Sequence, residues 1–253
     1  MDNKSDLGEY ENKSNDEKLI RAKIKKNLLN IINSTNESKI DEFILTSITR
    51  QNLSRVIYLN EIYKKILNIP GVILEFGVNW GNGISLLYNF RSMYEPYNHT
   101  RKIIGFDTFE GFPDVSIEDG SFAKTGDYKT EFNYENKLNE ILQLHELNAP
   151  LSHIKKFELV KGDINNTLEI WLDENPQAII SMAIIDVDLY KPTACILEKI
   201  IPRLTKGSLL LFDELNHSEF PGETQAVLEK LGINNLSLKT FPFTTYPCYA
   251  EWV

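Results

Sequence analysis

Acidic side chains recur along this chain at one kind of place, at or just past the end of a short apolar run. Glu75 lies in Val72-Ile73-Leu74-Glu75-Phe76-Gly77, and Asp107 follows Lys102 to Phe106. Asp163 comes shortly after Phe157 to Val160, Asp186 follows Ser181 to Ile185, and the pair Asp213-Glu214 follows Ser208 to Phe212. In an open α/β sheet, ligands bind beyond the carboxyl ends of the strands, where loops and helix N-termini converge. Acids repeated at such ends are therefore candidates for chemistry.

Two chemistries are legible in them. Around Glu75 the chain runs Phe76-Gly77-Val78-Asn79-Trp80-Gly81-Asn82-Gly83-Ile84-Ser85, so Gly77, Gly81 and Gly83 punctuate a strand-to-helix turn. A dinucleotide turn would read GxGxxG, with its acid about 20 positions later. An acid ahead of the first glycine instead suits a cationic cofactor, whose ammonium group a carboxylate holds by a charge-assisted hydrogen bond; it would repel a phosphate. Asp107, followed by Thr108 and Phe109, is placed to accept both hydroxyls of a ribose, the alternative being a turn-capping Asp. Gly162-Asp163 offers an acceptor to an adenine amino group, or is simply a turn.

The second chemistry belongs to Asp186, Asp213 and Glu214. Oxygen-only donors of this sort suit a hard cation such as Mg²⁺, and the alternative is a set of capping carboxylates. Asp186 is also the candidate general base for a poorly nucleophilic hydroxyl. His217, close behind Asp213-Glu214, and His145 compete for that role or for substrate contact, because histidine titrates near neutrality. Tyr190 either lines an acceptor pocket or ties down its own loop.

These residues need a frame. The alternation of short apolar runs with helical or loop segments after Gly71 predicts a mostly parallel sheet with helices on both faces, residues 71–253 forming one α/β domain. Leu236 to Thr240 and Cys248 to Val253 are candidates for closing strands, one of them antiparallel at the edge. Ahead of the sheet, Ile20, Ile24, Leu28, Ile31 and Ile32 recur at helical spacing, and so do Leu53, Ile57, Ile62 and Ile66, up to the breaker Pro70-Gly71. Residues 19–70 are therefore a helical segment, expected as a lid or as the contact of a homo-oligomer. Residues 1–18, rich in Asn, Lys, Asp, Glu and Ser, are expected to be a mobile tail.

Composition narrows the partners. With 36 acidic against 27 basic residues the formal charge is -9, which gives no global field for nucleic acid. No apolar run reaches the length of a membrane span, and no signal peptide is apparent, so a cytoplasmic protein is expected. Two cysteines, Cys195 and Cys248, in unrelated contexts make neither a disulfide framework nor a thiolate metal site.

Four pieces of the chain carry a family resemblance. They are Glu75-Phe76-Gly77-Val78, Phe106-Asp107-Thr108-Phe109-Glu110-Gly111-Phe112-Pro113, Asp186-Val187-Asp188-Leu189-Tyr190-Lys191-Pro192-Thr193, and Phe212-Asp213-Glu214 with Pro221-Gly222. From Pro70 to Leu231 the chain resembles the macrocin-type sugar O-methyltransferases. That resemblance implies a class I methyltransferase fold, Rossmann-like with a mostly parallel seven-stranded sheet, and S-adenosyl-L-methionine as cofactor. It also implies Mg²⁺ at Asp186 and the paired acids after the fifth strand, with a sugar hydroxyl as acceptor on a glycosylated metabolite, a nucleotide sugar or a polysaccharide. The chain departs from the family's usual pattern twice. Trp80-Gly81-Asn82-Gly83 stands where a basic residue and a Gly-Gly pair are usual, and Asp213-Glu214 stands where two Asp are usual. The competing readings are a catalytically idle binding module, a non-sugar acceptor, and a nicotinamide-dependent dehydrogenase, the last disfavoured by the absence of GxGxxG.

Overall fold

A computed structural model describes residues 15–34 and 36–253, so the tail expected over residues 1–18 falls largely outside the described part. The first helix, α1, spans Asn15–Ser34. Two units divide the chain, residues 1–56 and 57–253. In the first, α1 and α2 (Ile40–Thr46) leave Leu19, Ile20, Leu29, Ile44 and Leu45 exposed. Helix α3 (Arg50–Lys65) begins there and continues into the second unit, where Tyr58, Leu59, Ile62 and Tyr63 are buried.

The second unit is built on a seven-stranded sheet. Its strands are β1 (Val72–Phe76), β2 (Ile103–Asp107), β3 (Phe157–Lys161), β4 (Ile180–Ile185), β5 (Leu204–Phe212), β6 (Lys239–Thr240) and β7 (Cys248–Glu251). They lie in the order β3-β2-β1-β4-β5-β7-β6. The first five are mutually parallel, and β7 runs antiparallel to both β5 and β6. The antiparallel strand thus sits inside the sheet, and the edge is left to the two-residue β6. All of β4 and nearly all of β1 are buried, as strands covered on both faces must be.

Between the strands run α4 (Asn82–Tyr94), α5 (Tyr134–Leu147), α6 (Ile164–Glu174), α7 (Tyr190–Ile200) and α8 (Pro221–Lys230). Alternation along the strands decides what each helix covers. Leu74, Phe76, Ile104 and Phe106 join one core with Leu168 and Trp171 of α6 and Ile196 and Leu197 of α7. Phe106 meets Trp171 edge to face at 5.9 Å. Residues of the opposite parity, including Glu75, face α4. The pairing of β4 shifts register between Ile180 and Met182, which is why Ile180, Ala183 and Ile185 can share one core without strict alternation.

A buried charge network ties α3 to the sheet. Arg101 pairs with Glu95 at 3.0 Å and donates to the carbonyls of Ile66, Ile69 and Gly71 at 2.9, 2.8 and 2.6 Å. The Tyr63 hydroxyl donates to the same Glu95 at 2.6 Å. The turn after α3 is thereby clamped to the start of β1, fixing where the first strand begins. No helix among the described residues is long and apolar enough to cross a membrane. Arg101→Leu should strand Glu95 as a buried, uncompensated charge and cost about 3–5 kcal/mol of unfolding free energy. Urea denaturation of the variant measures it, and a loss under about 1 kcal/mol, the scale of an exposed pair, would show the network to be peripheral.

Candidate active site

The parallel register puts the acids in one row. Phe76 pairs with Phe106 on one side and with Ile185 on the other, and Ile185 pairs with Phe212. One residue further on, Asp107, Gly77, Asp186 and Asp213 therefore stand side by side across four strands, each step about 4.8 Å. Backbone bonds carry the ladder through this row: Gly77 N–H donates to Phe106 O at 2.9 Å, Asp186 N–H to Phe76 O at 2.9 Å, and Asp213 N–H to Ile185 O at 3.2 Å. The row straddles the boundary between β1 and β4, where strand order reverses and the following loops diverge.

Gly77 is required there. Its φ is +91°, and a Cβ would come within 1.7 Å of the Asp186 carbonyl oxygen. Glu75, two residues back and almost fully buried, reaches under the first turn of α4. A Cβ on Gly83 would lie 1.8 Å from its Oε1, so the glycine makes room for the carboxylate at the helix N-terminus, where the dipole favours negative charge. Gly81, at φ +79°, is the residue before that helix, and Ser85 N–H closes on its carbonyl at 3.1 Å.

Asp107 is held by the backbone. Asn79 N–H donates to its Oδ2 at 2.7 Å and Phe109 N–H to its Oδ1 at 2.6 Å, linking the β1 and β2 loops through one carboxylate. Both donors sit at positive φ, 48° and 55°. Burial raises the Asp107 pKa, the backbone bonds oppose the shift, and the charge of Asp186 adds to it. Thr108 closes the next turn, its Oγ1 donating to Gly111 O at 2.7 Å. Gly162 N–H donates to Asp107 O at 2.9 Å, and Asp163 caps α6, accepting at Oδ1 from Asn165 N–H at 3.0 Å. The cap is thus an observed role for Asp163 whatever else it contacts. Phe76 keeps only its backbone at the rim, since its ring stacks on Phe106 at 5.0 Å inside the core.

Beside this corner lies the acid cluster. Asp188, buried and at φ +59°, has its pKa raised well above the usual carboxylate range by burial and then by Asp186 and Asp213. Glu214 is pushed up to about 10 by burial and by Asp188, Asp213 and Asp186. Glu223 on α8, fully buried, is raised by burial and by Asp213, Asp188 and Glu214, although the Glu214 N–H donates to it at 3.1 Å. Donors of this chemistry, gathered at this density, fit a divalent cation, which would relieve their mutual repulsion. Yet among the described residues no three His, Cys, Asp or Glu side chains stand in an ion-holding arrangement. The set Asp186, Asp213 and Glu214 is therefore not preassembled. The Glu214 Oε2 lies 3.7 Å from the Nε2 of His217.

Other predicted residues fall elsewhere. Tyr190 N–H donates to Asp119 Oδ1 at 2.6 Å, while its hydroxyl turns outward to Glu229 of α8. There it lines a shallow hollow with Glu118, Gln225 and Leu228. His145 does not join the row: it lies three turns along α5 against Tyr88, whose ring meets Phe157 at the amino end of β3. Four more residues stand near the row: Glu223, which the sequence reading did not single out, Asp119 and Tyr134, which lie in the Ser116 to Tyr134 stretch expected to build the acceptor pocket, and Trp80 of the glycine turn. Asp119, buried, accepts from Ser116 N–H at 2.7 Å as well as from Tyr190, clasping the β2–α5 loop to α7. Glu223 faces the acids from α8, and its only signal was its place after Pro221-Gly222. Trp80 and Tyr134 form an aromatic edge, with ring centroids 4.7 Å apart, beside the glycine turn.

Comparison with known proteins gives this geometry a context. Residues 18–229 match the model of the macrocin-O-methyltransferase (TylF) family. The chain is 24% identical over 159 residues to an 8-demethyl-8-(2,3-dimethoxy-alpha-L-rhamnosyl)-tetracenomycin-C 4'-O-methyltransferase of Streptomyces olivaceus, covering 58% of this chain and 53% of that protein. It thus spans about half the length of that relative. Among solved structures it is similar to CalS11, a calicheamicin methyltransferase, with TM-score 0.91 and 35% identity over 100% of this chain and 98% of that one. The apo form of CalS11, described as a TDP-rhamnose 3'-O-methyltransferase, gives 0.84 and 34% over 98% and 99%. The O-methyltransferase NovP, at 0.56 and 20% over 79% of each chain, shares the fold.

Asp188→Asn removes one buried like charge from the cluster. At neutral pH the metal-free variant should be more stable than the parent, because a carboxyl whose pKa is raised on folding lowers stability at every pH above its unfolded value. Thermal unfolding in chelator checks it, and a fall in stability would show that Asp188 is compensated by an interaction outside the cluster.

Proposed function

Because this chain belongs to the macrocin O-methyltransferase family, we propose that it transfers the methyl group of S-adenosyl-L-methionine to a hydroxyl of a sugar, carried on a nucleotide or a glycosylated metabolite. The observation that carries the reading is the row at the switch point, with Glu75 and Asp107 on its cofactor side and Asp186 and Asp213 on the other. Full-length similarity to a protein described as a TDP-rhamnose 3'-O-methyltransferase favours a nucleotide-linked deoxysugar among the acceptors.

In this reading the chain's own residues divide the work. Glu75, lodged at the N-terminus of α4, receives the ammonium of the methionine moiety, directly or through water. Asp107 already accepts two backbone N–H groups, and its remaining lone pairs take the ribose hydroxyls. Asn79, Gly81, Gly83, Ser85, Thr108, Phe109 and Gly162 form the walls, with Asp163 at the adenine end. The acceptor oxygen attacks the methyl carbon in line with the sulfonium. A C–O bond forms as the C–S bond breaks, so holding the two reactants in that line provides much of the acceleration. Asp186 takes the hydroxyl proton, and S-adenosylhomocysteine leaves neutral at sulfur.

Asp186, Asp213 and Glu214 would hold Mg²⁺, which when bound supplies positive charge that lowers the hydroxyl pKa and stabilises the developing alkoxide. Exposed Leu19, Ile20, Leu29, Ile44 and Leu45 support association of two copies through α1 and α2.

Methyl transfer to TDP-rhamnose, followed with labelled cofactor, tests the proposal. Asp186→Asn should lower kcat by about 10²–10⁴, the usual worth of a positioned general base, while leaving S-adenosylhomocysteine affinity unchanged. Chelation should abolish turnover and Mg²⁺ restore it. Full activity of the Asn variant would remove Asp186 from the chemistry, and failure to bind S-adenosylhomocysteine at all would overturn the assignment of the enzyme.

A further inference from the structure

The connection from β2 to α5 runs from residue 108 to residue 133 with only one turn of 3-10 helix, Ile117–Asp119, and loops this long in a compact domain are usually functional. Its second half, residues 122–130, is tied on two sides. Toward the β2 loop, Gly126 N–H donates to Phe112 O at 2.9 Å, Phe112 N–H to Asp127 O at 3.0 Å, and the Thr130 hydroxyl to Phe109 O at 2.9 Å. Toward the acids the contact is aromatic. Tyr128 packs on Phe112 at 5.2 Å and on Phe220 at 6.3 Å, Phe122 meets Phe220 at 5.5 Å, and Phe220 lies 5.5 Å from His217. The segment thus bridges the loop after Asp107 and the loop after Glu214, and in the reading above the acceptor lies between those two acids.

Packing alone calls for neither of two features found here. Tyr128 holds φ +62°, an uncommon conformation for a bulky side chain, so its ring is set in place against the backbone's preference. Buried Phe112 and Phe220 support that ring, which itself stays only half-buried. Lys124 and Lys129, on either side of it in the chain, are exposed and form no ion pair among the described residues. Lys137, Lys161 and Lys191, by contrast, pair with Glu131, Glu135 and Asp114. The one acid between the two lysines, Asp127, accepts at Oδ2 from Lys124 N–H at 2.8 Å. In a chain of formal charge -9, with acids crowded on the same rim, unpaired positive charge at this place stands out.

We infer that this segment holds the nucleoside diphosphate of a nucleotide-linked acceptor, the base stacked on the Tyr128 ring and the phosphates held by Lys124 and Lys129. The inference rests on the methyl-transfer reading above and chooses among its acceptors, since a glycosylated metabolite without phosphate has no use for the two lysines. A flat base suits an aromatic face on rigid support, and ammonium groups on long stems suit phosphates, to which they donate charge-assisted hydrogen bonds. Neither contact depends on a cation at the acids.

Binding of thymidine diphosphate, measured by titration calorimetry in the presence of S-adenosylhomocysteine, tests it. Affinity should fall about 10–100-fold in the double variant Lys124→Ala, Lys129→Ala, the worth of hydrogen bonds to charged groups, and should lose much of its dependence on salt. Removing two positive charges at the amino ends of β2 and β5, in Lys102→Ala, Lys206→Ala, should leave it unchanged. Tyr128→Asn, which tolerates positive φ but lacks the ring, should weaken binding about 5–100-fold, and Tyr128→Phe, which keeps the ring, should bind as the parent does. S-adenosylhomocysteine affinity, expected to match the parent's throughout, reports that the variants are folded. Parent-like affinity in the lysine double variant or in Tyr128→Asn overturns the inference. Equal weakening in the Lys102, Lys206 control, or in Tyr128→Phe as in Tyr128→Asn, overturns it as well. A parent that binds S-adenosylhomocysteine but not thymidine diphosphate overturns the inference alone, and one that binds neither overturns the enzyme reading with it.

Discussion

Everything in the site depends on the register of four parallel strands. Pairing of Phe76 with Phe106 and Ile185, and of Ile185 with Phe212, leaves the next residue of each strand no choice of neighbours. A shift of one residue in β4 would turn Asp186 to the opposite face and send Ile185 to the rim. The apolar residues that fix this register are in the core, with Phe76, Phe106, Ile185 and Phe212 all fully buried. The hydrophobic effect thus sets the position of the charges.

Gathering those charges is costly, and the two halves of the row meet the cost differently. At Asp107 and Glu75 the protein supplies its own compensation, with two backbone N–H groups on Asp107 and a helix N-terminus over Glu75. Around Asp186 and Asp213, burial first and then the neighbouring carboxylates raise the pKa values of Asp188, Glu214 and Glu223. An arrangement with its compensation built in suits a ligand bearing one modest charge. One that accumulates repulsion suits a ligand bearing two positive charges, and the strain is held by a scaffold that does not depend on the ion: the Asp119 clasp and the bond from Glu214 N–H to Glu223.

Much of this was legible in the residues. Short apolar runs followed by acids marked the five parallel strands and where each one ends, because buried strands must be apolar and the residues beyond them need not be. Gly77 and Gly83 were visible as glycines, although the sequence does not say that one clears the Asp186 carbonyl and the other the Glu75 carboxylate. Contacts distant in sequence were out of reach. Asp119 clasps Tyr190 across 71 positions, and Glu223 reaches Glu214 from a different element, so neither follows from local pattern. Tyr190 illustrates the converse: its position in the motif allowed either a pocket wall or a tie within its own loop, while the helical turn it begins carries its hydroxyl to Glu229 of α8. His145 shares its residue type with His217 but sits at the wrong end of the sheet, something only topology decides.

The central claim is that one rim holds a sulfonium nucleoside and a divalent cation next to each other. A crystal structure of the protein grown with S-adenosylhomocysteine and Mn²⁺, with the metal located by its anomalous scattering, tests it most directly. The expected map shows ribose hydroxyls on Asp107, the amino-acid end against Glu75, and a single Mn²⁺ peak touching Asp186 and Asp213. A nucleoside bound away from Asp107, or an anomalous peak remote from Asp186, would contradict it.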